Sequence, residues 1–179
     1  MTDGQQSEPW GEPRRKTITW HDPAVGASAM VRMSGLDYLQ AIADGRLPGA
    51  PIMALMGGEA ESVRLGEVIF RCTPDESAYN PIGVVHGGLV CTLLDSVAGC
   101  AVHTTLPAGT GYTSLEIKVN YLRAVRAGEG ELRAIGRVTK PGRRAAFAEG
   151  EVRDSQNRLV ATASSTCLVF PLPTTAPST

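Results

Sequence analysis

The sequence lacks any strong imbalance of charge and any long hydrophobic run. Its 179 residues carry 17 Lys and Arg against 18 Asp and Glu, a net charge of −1, so electrostatics favours neither nucleic acid nor an anionic membrane as a partner. No apolar segment is long enough to span a bilayer, and no charged-then-apolar signal opens the chain. We therefore expect a cytoplasmic protein that binds neither nucleic acid nor membrane.

Cysteine pairs and metal-ligand clusters are also missing from the sequence. The four cysteines are widely spread and form no CxxC pair, and free cysteines in an apolar segment behave as small hydrophobes. No set of His, Cys and carboxylate residues has the spacing of a metal site. We expect a reduced protein that uses no metal and no cofactor.

The chain is long enough for one domain with a substantial core. Residues 1–30 are predicted to be a loosely ordered polar tail, residues 31–170 the domain, and residues 171–179 a proline-rich tail. A lead-in helix is predicted to begin at Ser34, which can cap it, and to stop near Gly45.

Hydrophobic periodicity divides the domain into one long helix and about five to six strands. The helix is predicted from Gly88 to Thr104. Alternation of apolar and polar residues predicts the strands, which are Glu61–Thr73, Ser114–Leu122, Glu131–Lys140, Ala145–Asp154 and Leu159–Phe170. Short turns join the last four strands, so these must be antiparallel, because a parallel crossover needs a dozen or more residues.

The long helix is apolar on nearly all sides, and such a helix must be enclosed. The sheet is the available enclosure, and small residues on the last two strands would let it approach the helix closely. These residues are Ala146, Ala148, Gly150, Ala161 and Ala163. The predicted fold class is therefore α+β, with a long central helix wrapped by a curved antiparallel sheet.

One acidic residue stands out within the predicted helix. Asp95 is the only formally charged side chain between Glu76 and Glu116, and burying a lone carboxylate costs several kcal/mol unless it is paired. The helix opens on two glycines, Gly87 and Gly88, which leave free backbone N–H groups at the positive end of the helix dipole. An acid and an anion site this close together in the chain are typical of a hydrolase.

Small and polar residues form a stripe along one face of the helix. They are Gly88, Thr92, Asp95, Ser96, Gly99 and His103. The stripe lines either a cleft or a close helix–helix contact in which Asp95 is bonded to backbone. Gly87 and Asp95 lie eight residues apart, about 12 Å along a helix, so both can act on one substrate only if the acid comes from a second copy across a two-fold axis.

One set of residues has a combined spacing that resembles the PaaI-like hotdog acyl-CoA thioesterases. The set is Asn80, His86, Gly87, Gly88, Asp95, Thr113 and the strand end Val119–Arg123. The resemblance covers approximately residues 36–170 and implies a hotdog fold, in which the sheet wraps the long helix. It also implies an acyl-CoA substrate and a homodimer with shared active sites, commonly assembled as a dimer of dimers.

The same resemblance implies catalytic roles for four members of the set. The Gly87 N–H would hold the developing oxyanion, and Asn80 would help to place the thioester carbonyl. Asp95 of the partner chain would act as base or nucleophile. Thr113, together with Ser114, would orient the water or the acid. One base and one oxyanion hole suffice, because the thiolate leaving group needs little help from an acid.

Substrate binding is assigned to five positions, which are Gly88, Ser114, Arg123, Arg143 and Arg144. Arg143 and Arg144 lie in a basic turn that is either a solvated hairpin tip or a site for the phosphates of CoA, because arginine forks suit phosphates. Arg123 is a second candidate for that contact. It is followed by Ala124, where members of the family often carry proline, so the strand end departs from the family pattern.

The roles of two histidines must also be assigned, and two functions other than hydrolysis remain as alternatives. His86 would be a general acid or base, a substrate hydrogen-bonder or a loop anchor, whereas His103, near the helix end, is predicted to be structural. A hotdog hydratase or dehydratase would change the enoyl absorbance and release no thiol. A non-catalytic acyl-CoA-binding module would bind the thioester without turning it over.

Overall fold

The computed structural model describes residues 10–126 and 128–173. Its helices are α1 (Pro23–Met30), α2 (Gly35–Ala43), α3 (Pro51–Met56) and α4 (Gly87–His103), with a short 3₁₀ helix at Glu76–Ala78. Its strands are β1 (Gly58–Arg64), β2 (Glu67–Cys72), β3 (Thr110–Tyr121), β4 (Leu132–Lys140), β5 (Ala145–Arg153) and β6 (Leu159–Pro171). Among these helices none is long and apolar enough to cross a membrane.

The six strands form one antiparallel sheet in the order β1-β2-β4-β5-β6-β3. Helix α4 contacts every strand from β2 to β3 in that order. Five strands span about 19 Å at their usual spacing, whereas a helix is about 10 Å across, so the sheet must curl around α4. The predicted arrangement of a central helix wrapped by an antiparallel sheet is confirmed.

The sheet approaches α4 closely because small residues face the helix. The predicted alanines Ala146, Ala148, Ala161 and Ala163 are all buried. At Gly150 a Cβ would lie 3.1 Å from Leu94 Cδ2, and at Gly136 it would lie 2.1 Å from the Val97 carbonyl oxygen. Any side chain at Gly136 would therefore push β4 away from the helix, a constraint that the sequence pattern did not reveal.

The predicted strand Glu61–Thr73 is wrong, because the structure divides it into the hairpin of β1 and β2. Arg64 pairs with Glu67 across a two-residue turn at Leu65 and Gly66, and Gly66 has a φ of +76°, as the tight turns of hairpins require. A two-residue turn shifts the alternation by one position, because the paired residues Arg64 and Glu67 face the same side of the sheet. Periodicity did not show this shift, since Val68, Ile69 and Phe70 of β2 are all buried and the strand has little alternation of its own.

The N-terminal region contains more helix than predicted. Helix α2 is capped by Ser34, as predicted, but α1 lies inside the segment predicted to be a loose tail. The local signals for α1 are Asp22, whose carboxylate accepts from Ala24 N–H, and Pro23 in the first turn. The predicted tails also include residues 1–9 and 174–179, which lie outside the described residues.

Candidate active site

Asp95 lies in the middle of α4, where it is half-buried instead of fully buried as predicted, because it faces a cavity. Its Oδ1 accepts a hydrogen bond of 2.7 Å from the Ser114 hydroxyl on β3. A charge-assisted bond of this kind holds the carboxylate in one orientation. The second oxygen, Oδ2, accepts no hydrogen bond from the described residues and is available for a substrate or a water molecule.

The structure brings Ser114, and not its neighbour Thr113, to the carboxylate within one chain. Successive residues of a strand point to opposite faces of the sheet, so Ser114 faces α4 while the exposed Thr113 lies on the other side. Ser114 had been assigned to substrate binding and, together with Thr113, to orienting the water or the acid. Within the chain, the orienting contact belongs to Ser114.

The N-terminus of α4 is organised by His86. The His86 Nδ1 accepts a hydrogen bond of 2.8 Å from the Gly88 N–H, and the His86 carbonyl accepts from the Leu89 N–H at 3.0 Å. The Gly88 N–H is therefore already occupied, and the assignment of Gly88 to substrate binding stays a prediction that cannot rely on this donor. The Gly87 N–H has no acceptor in the described part of the chain and is one of the free donors of a helix start.

At each glycine of this helix start, a different neighbouring group leaves little room for a side chain. A Cβ on Gly88 would lie 2.8 Å from the His86 Nδ1 and would displace the capping imidazole. A Cβ on Gly87 would lie 3.2 Å from the ring of Tyr121, whose hydroxyl donates to the Gly87 carbonyl at 3.0 Å. Tyr121 is a contributor that sequence reasoning missed, since its role depends on where β3 ends relative to the helix start.

Asn80 holds the loop that leads to the helix. Its side-chain Oδ1 accepts from the Ile82 N–H at 3.1 Å and from the Val84 N–H at 3.3 Å. The carboxamide oxygen is thus committed to the loop, and the Nδ2 group is the end that can donate to a ligand. The loop is tied to the domain by the Val85 N–H, which donates to the Val125 carbonyl at 2.7 Å.

Gly87 and Asp95 open onto different hollows of the same chain. Gly87 borders a shallow hollow of about 340 Å³ together with Tyr121 and Arg123. Asp95 borders a separate cavity of about 650 Å³. The two residues lie eight positions apart on the helix, about 12 Å, so one chain does not assemble the predicted pair of groups around one thioester.

The larger cavity is bounded by α1, α2, α3 and β1 on one side and by α4 on the other. From the helix, Ser96, Cys100 and His103 line it beyond Asp95. Most of the remaining wall is apolar, as is usual for a site that binds an organic ligand. Helix α1 contributes to this wall although it belongs to the segment predicted to be a tail.

The cavity wall carries little charge. Burial raises the pKa of the Cys100 thiol to about 11 and lowers the pKa of His103 to about 4, so both are neutral near pH 7. Besides Asp95, the charged wall residue is Glu59, which is paired with Arg71 at 2.8 Å. Asp95 is therefore the one acid here that has no cationic partner among the described residues.

The predicted basic contacts do not gather in one place. Arg123 is exposed and borders the hollow at Gly87, near the end of β3. Arg143 and Arg144 are exposed at the turn between β4 and β5. The sheet register places this turn near the start of β3 and the end of β6, far from Arg123. Within the described ranges, no group of three or more His, Cys, Asp or Glu residues is arranged to hold a metal ion.

Comparison with known proteins connects this geometry to a family. The Thioesterase superfamily model matches residues 82–161. Acyl-coenzyme A thioesterase 13 of Homo sapiens is 32% identical over 46% of this chain and 57% of that protein. The first curated relatives are matched over only 57% to 66% of their length.

Solved structures share the fold. The phenylacetic acid degradation-related protein of Ralstonia eutropha JMP134 superposes with a TM-score of 0.67 at 29% identity, over 73% of this chain and 98% of that chain. A Streptococcus mutans UA159 protein solved with acetyl CoA bound superposes with a TM-score of 0.59 at 27% identity, over 64% and 90%. The α4-centred domain is thus a hotdog fold.

Proposed function

Because this chain belongs to the thioesterase superfamily, we propose that it hydrolyses acyl-CoA thioesters to a free acid and CoA. The observation that carries the proposal is Asp95, whose carboxylate is oriented by Ser114 at the wall of a largely apolar cavity of about 650 Å³. The acyl group would occupy this cavity with its thioester beside the carboxylate. The activity of the human relative and the acetyl CoA of the Streptococcus protein support this substrate class.

The proposed reaction is attack of water on the thioester carbonyl carbon. Asp95 takes a proton from the water on Oδ2, while Ser114 continues to hold Oδ1. The carbonyl oxygen becomes an oxyanion, the C–S bond then breaks, and the CoA thiolate leaves and is protonated as the carboxylate is regenerated. A positioned base of this kind contributes roughly 10²–10⁴ in rate.

The proposed oxyanion donor is the Gly87 N–H at the start of α4. It is free among the described residues, and the His86 cap consumes the neighbouring donor, so a single N–H is presented. One such donor is worth roughly 10²–10³ in rate. Asn80 would add its Nδ2 group to the same carbonyl oxygen, because its Oδ1 is already used by the loop.

We propose that each active site combines two protomers of a homodimer. Gly87 and Asp95 of one chain border different hollows, so the carboxylate that serves a given Gly87 would come from the partner. Strand β3 is an edge of the sheet whose outer side has no partner strand among residues 10–126 and 128–173, and such an edge is a template for pairing with another chain. A dimer of dimers remains the expected assembly.

The phosphates of CoA are proposed to contact arginines from more than one protomer. Arg123 would act near the Gly87 that it neighbours. Arg143 and Arg144 lie near the other end of the sheet, so they would serve a site formed with another protomer.

Release of free thiol from acyl-CoA substrates tests the activity. Asp95→Asn should lower kcat by roughly 10²-fold or more with a smaller change in KM, because it removes a group that acts in the transition state. Glu149→Gln, an exposed position on β5, is the control for loss of one negative charge. Wild-type turnover in Asp95→Asn would overturn the assignment. The protein's own four thiols must be subtracted.

Mixing two inactive variants tests the shared site. Gly87→Pro removes the N–H at the first helical position, where proline is well tolerated, and Asp95→Asn removes the base. If sites are shared, an exchanged one-to-one mixture should regain roughly a quarter of the wild-type activity, since half of the dimers are mixed and each has one intact site. No recovery in a mixture shown to contain mixed dimers would place the whole site within one chain.

Two other functions are distinguished by the same assays. An acyl-CoA-binding module would bind the thioester and release no thiol at any protein concentration. A hydratase would change the absorbance of an enoyl-CoA without releasing thiol. Either result would replace hydrolysis as the function of this site.

A further inference from the structure

We propose that the end of the cavity remote from Asp95 is a subsite in which His103, flanked by Tyr38 and Tyr112, binds a hydroxyl group at the far end of a medium-chain acyl group. The proposal deepens the proposed thioesterase function and rests on it for the position of the thioester. It assigns a recognition role to a histidine that was expected to be structural.

The first observation is that His103 is buried and that no residue the structure describes is its hydrogen-bond partner. Only 3% of the residue is exposed, yet it borders the cavity. Its ring nitrogens make no hydrogen bond to the described residues, although every fully enclosed side-chain nitrogen or oxygen there has a partner. The ring nitrogens must therefore open onto the cavity, where only water or a ligand can satisfy them.

The second observation is the aromatic frame around this imidazole. The ring centroid of His103 lies 5.5 Å from that of Tyr38 on α2 and 5.3 Å from that of Tyr112 on β3. Helix α1 closes over the frame, since a Cβ on Gly26 would lie 3.0 Å from the Tyr38 hydroxyl. Tyr38 and Tyr112 thus flank the imidazole, and α1 backs Tyr38, so the ring is held in place as a recognition group requires.

The position of His103 on α4 sets the length of the acyl group. Asp95 and His103 are eight residues apart, about 12 Å along the helix. Between them, Ser96 and Cys100 also border the cavity. Ser96, Cys100 and His103 have the i, i+4, i+7 spacing of one helix face. A chain that starts at Asp95 and follows this face reaches the imidazole only if it is of medium length.

The charge of the wall selects a neutral oxygen group. Burial holds the pKa of His103 at about 4, so near pH 7 its ring is neutral, with one N–H donor and one nitrogen acceptor, which matches a hydroxyl group. None of the described residues that border the cavity is Lys or Arg, so a terminal carboxylate would lose its hydration without gaining a cation. A terminal methyl group would displace the water at His103 and leave its hydrogen bonds unmade.

The test compares kcat/KM for octanoyl-CoA, ω-hydroxyoctanoyl-CoA and ω-carboxyheptanoyl-CoA, and for the corresponding decanoyl series. The wild type should prefer the ω-hydroxyl substrate about tenfold or more over the plain one in at least one series. His103→Phe keeps an aromatic ring in the frame but removes both polar atoms, so it should reverse this preference. His21→Phe makes the same substitution at an exposed position and should retain it.

Binding of the free acids separates this proposal from the hydrolytic one. Calorimetry on the wild type should show tighter binding of ω-hydroxyoctanoate or ω-hydroxydecanoate than of the matching plain acid, whether or not any thioester is hydrolysed. Equal affinity of each pair, or preference for the carboxyl-terminated acid, would overturn the subsite. So would a preference that survives in folded His103→Phe. The wild-type measurement alone can refute the subsite, so the test remains decisive even if His103→Phe fails to fold.

Discussion

The two ends of α4 present opposite kinds of chemistry. At its N-terminus the helix exposes backbone, with the Gly87 N–H free beside a glycine whose own N–H is capped by His86. Toward its C-terminus the helix presents side chains to a cavity, from the carboxylate of Asp95 to the imidazole of His103. The first end can donate a hydrogen bond from its backbone because it lacks side chains. The second end acts through the side chains that it presents to the cavity.

This difference decides how each end tolerates change. A backbone donor survives any substitution that keeps the N–H and the helix start, so at Gly87 the steric limit is set by Tyr121. A side-chain group depends on its partners, as Asp95 depends on Ser114 across the helix–sheet interface. Variants that separate backbone from side-chain effects can therefore test each end independently.

Apart from loss of the Asp95 carboxylate itself, the largest effect is expected at the backbone end. Gly87→Pro should lower kcat by roughly 10²–10³-fold, because it removes one oxyanion donor. The preceding residue, His86, has a ψ of 133°, which is compatible with a following proline. Gly87→Ala is the matched control, since it adds a Cβ near Tyr121 but keeps the N–H. Equal losses of kcat in both variants would mean that sterics, and not the donor, is responsible.

The next effect concerns stability at the side-chain end. The unfolded chain protonates His103 as the pH falls below about 6.5, whereas the folded chain does so only near 4. The free energy of unfolding should therefore fall by about 2 kcal/mol more in the wild type than in His103→Phe between about pH 7 and pH 5. Denaturant titrations at the two pH values measure this, and identical losses in both proteins would contradict the buried neutral imidazole.

A smaller effect is expected where β3 meets the middle of α4. Ser114→Ala should lower kcat about tenfold, since the hydrogen bond that orients the Asp95 carboxylate is worth about 1.5–3 kcal/mol when one partner is charged. Thr113→Ala is the comparison at the adjacent position, and its kcat should fall less. If Thr113→Ala has the larger effect, the acid is oriented by a contact that forms only between protomers.

The smallest effect distinguishes two roles of His86. His86→Ala should lower the free energy of unfolding by about 1 kcal/mol, because it removes the cap of α4, whereas His86→Asn should restore most of it. Urea denaturation measures this stability. Thiol release from both variants then reports on chemistry: turnover that recovers in His86→Asn indicates a cap, and turnover lost in both indicates proton transfer.

Much of the fold could be predicted because the helices and strands are specified by local patterns of apolar and polar residues. The long helix, the four later strands and the Ser34 cap all follow from residues that are close in the sequence. The hairpin turn at Gly66 was missed because β2 is buried on both faces at Val68, Ile69 and Phe70, so the shift in alternation at the turn gave no clear signal. Helix α1 escaped because its short sequence is rich in small residues and has no strong apolar face of its own.

The candidate site was predicted only in part. Asp95 and the helix start were found because an isolated acid and paired glycines are visible in the sequence. The choice of Ser114 over Thr113, the occupied Gly88 N–H and the contact of Tyr121 with Gly87 were not. Each of these depends on which face a residue of β3 or a side chain of the helix cap presents to its neighbour, and that is a matter of register.

By itself the sequence determined one apolar helix, antiparallel strands around it, and a lone acid eight residues after a glycine helix start. These features are local, because they arise from spacing along a covalent chain of known geometry. Only the tertiary structure decided that α1, α2 and α3 close a cavity over α4, and that His103 opens into it without a hydrogen-bond partner in the described part of the chain. The reason is physical: a cavity is the space left between segments, and its shape depends on how their surfaces pack.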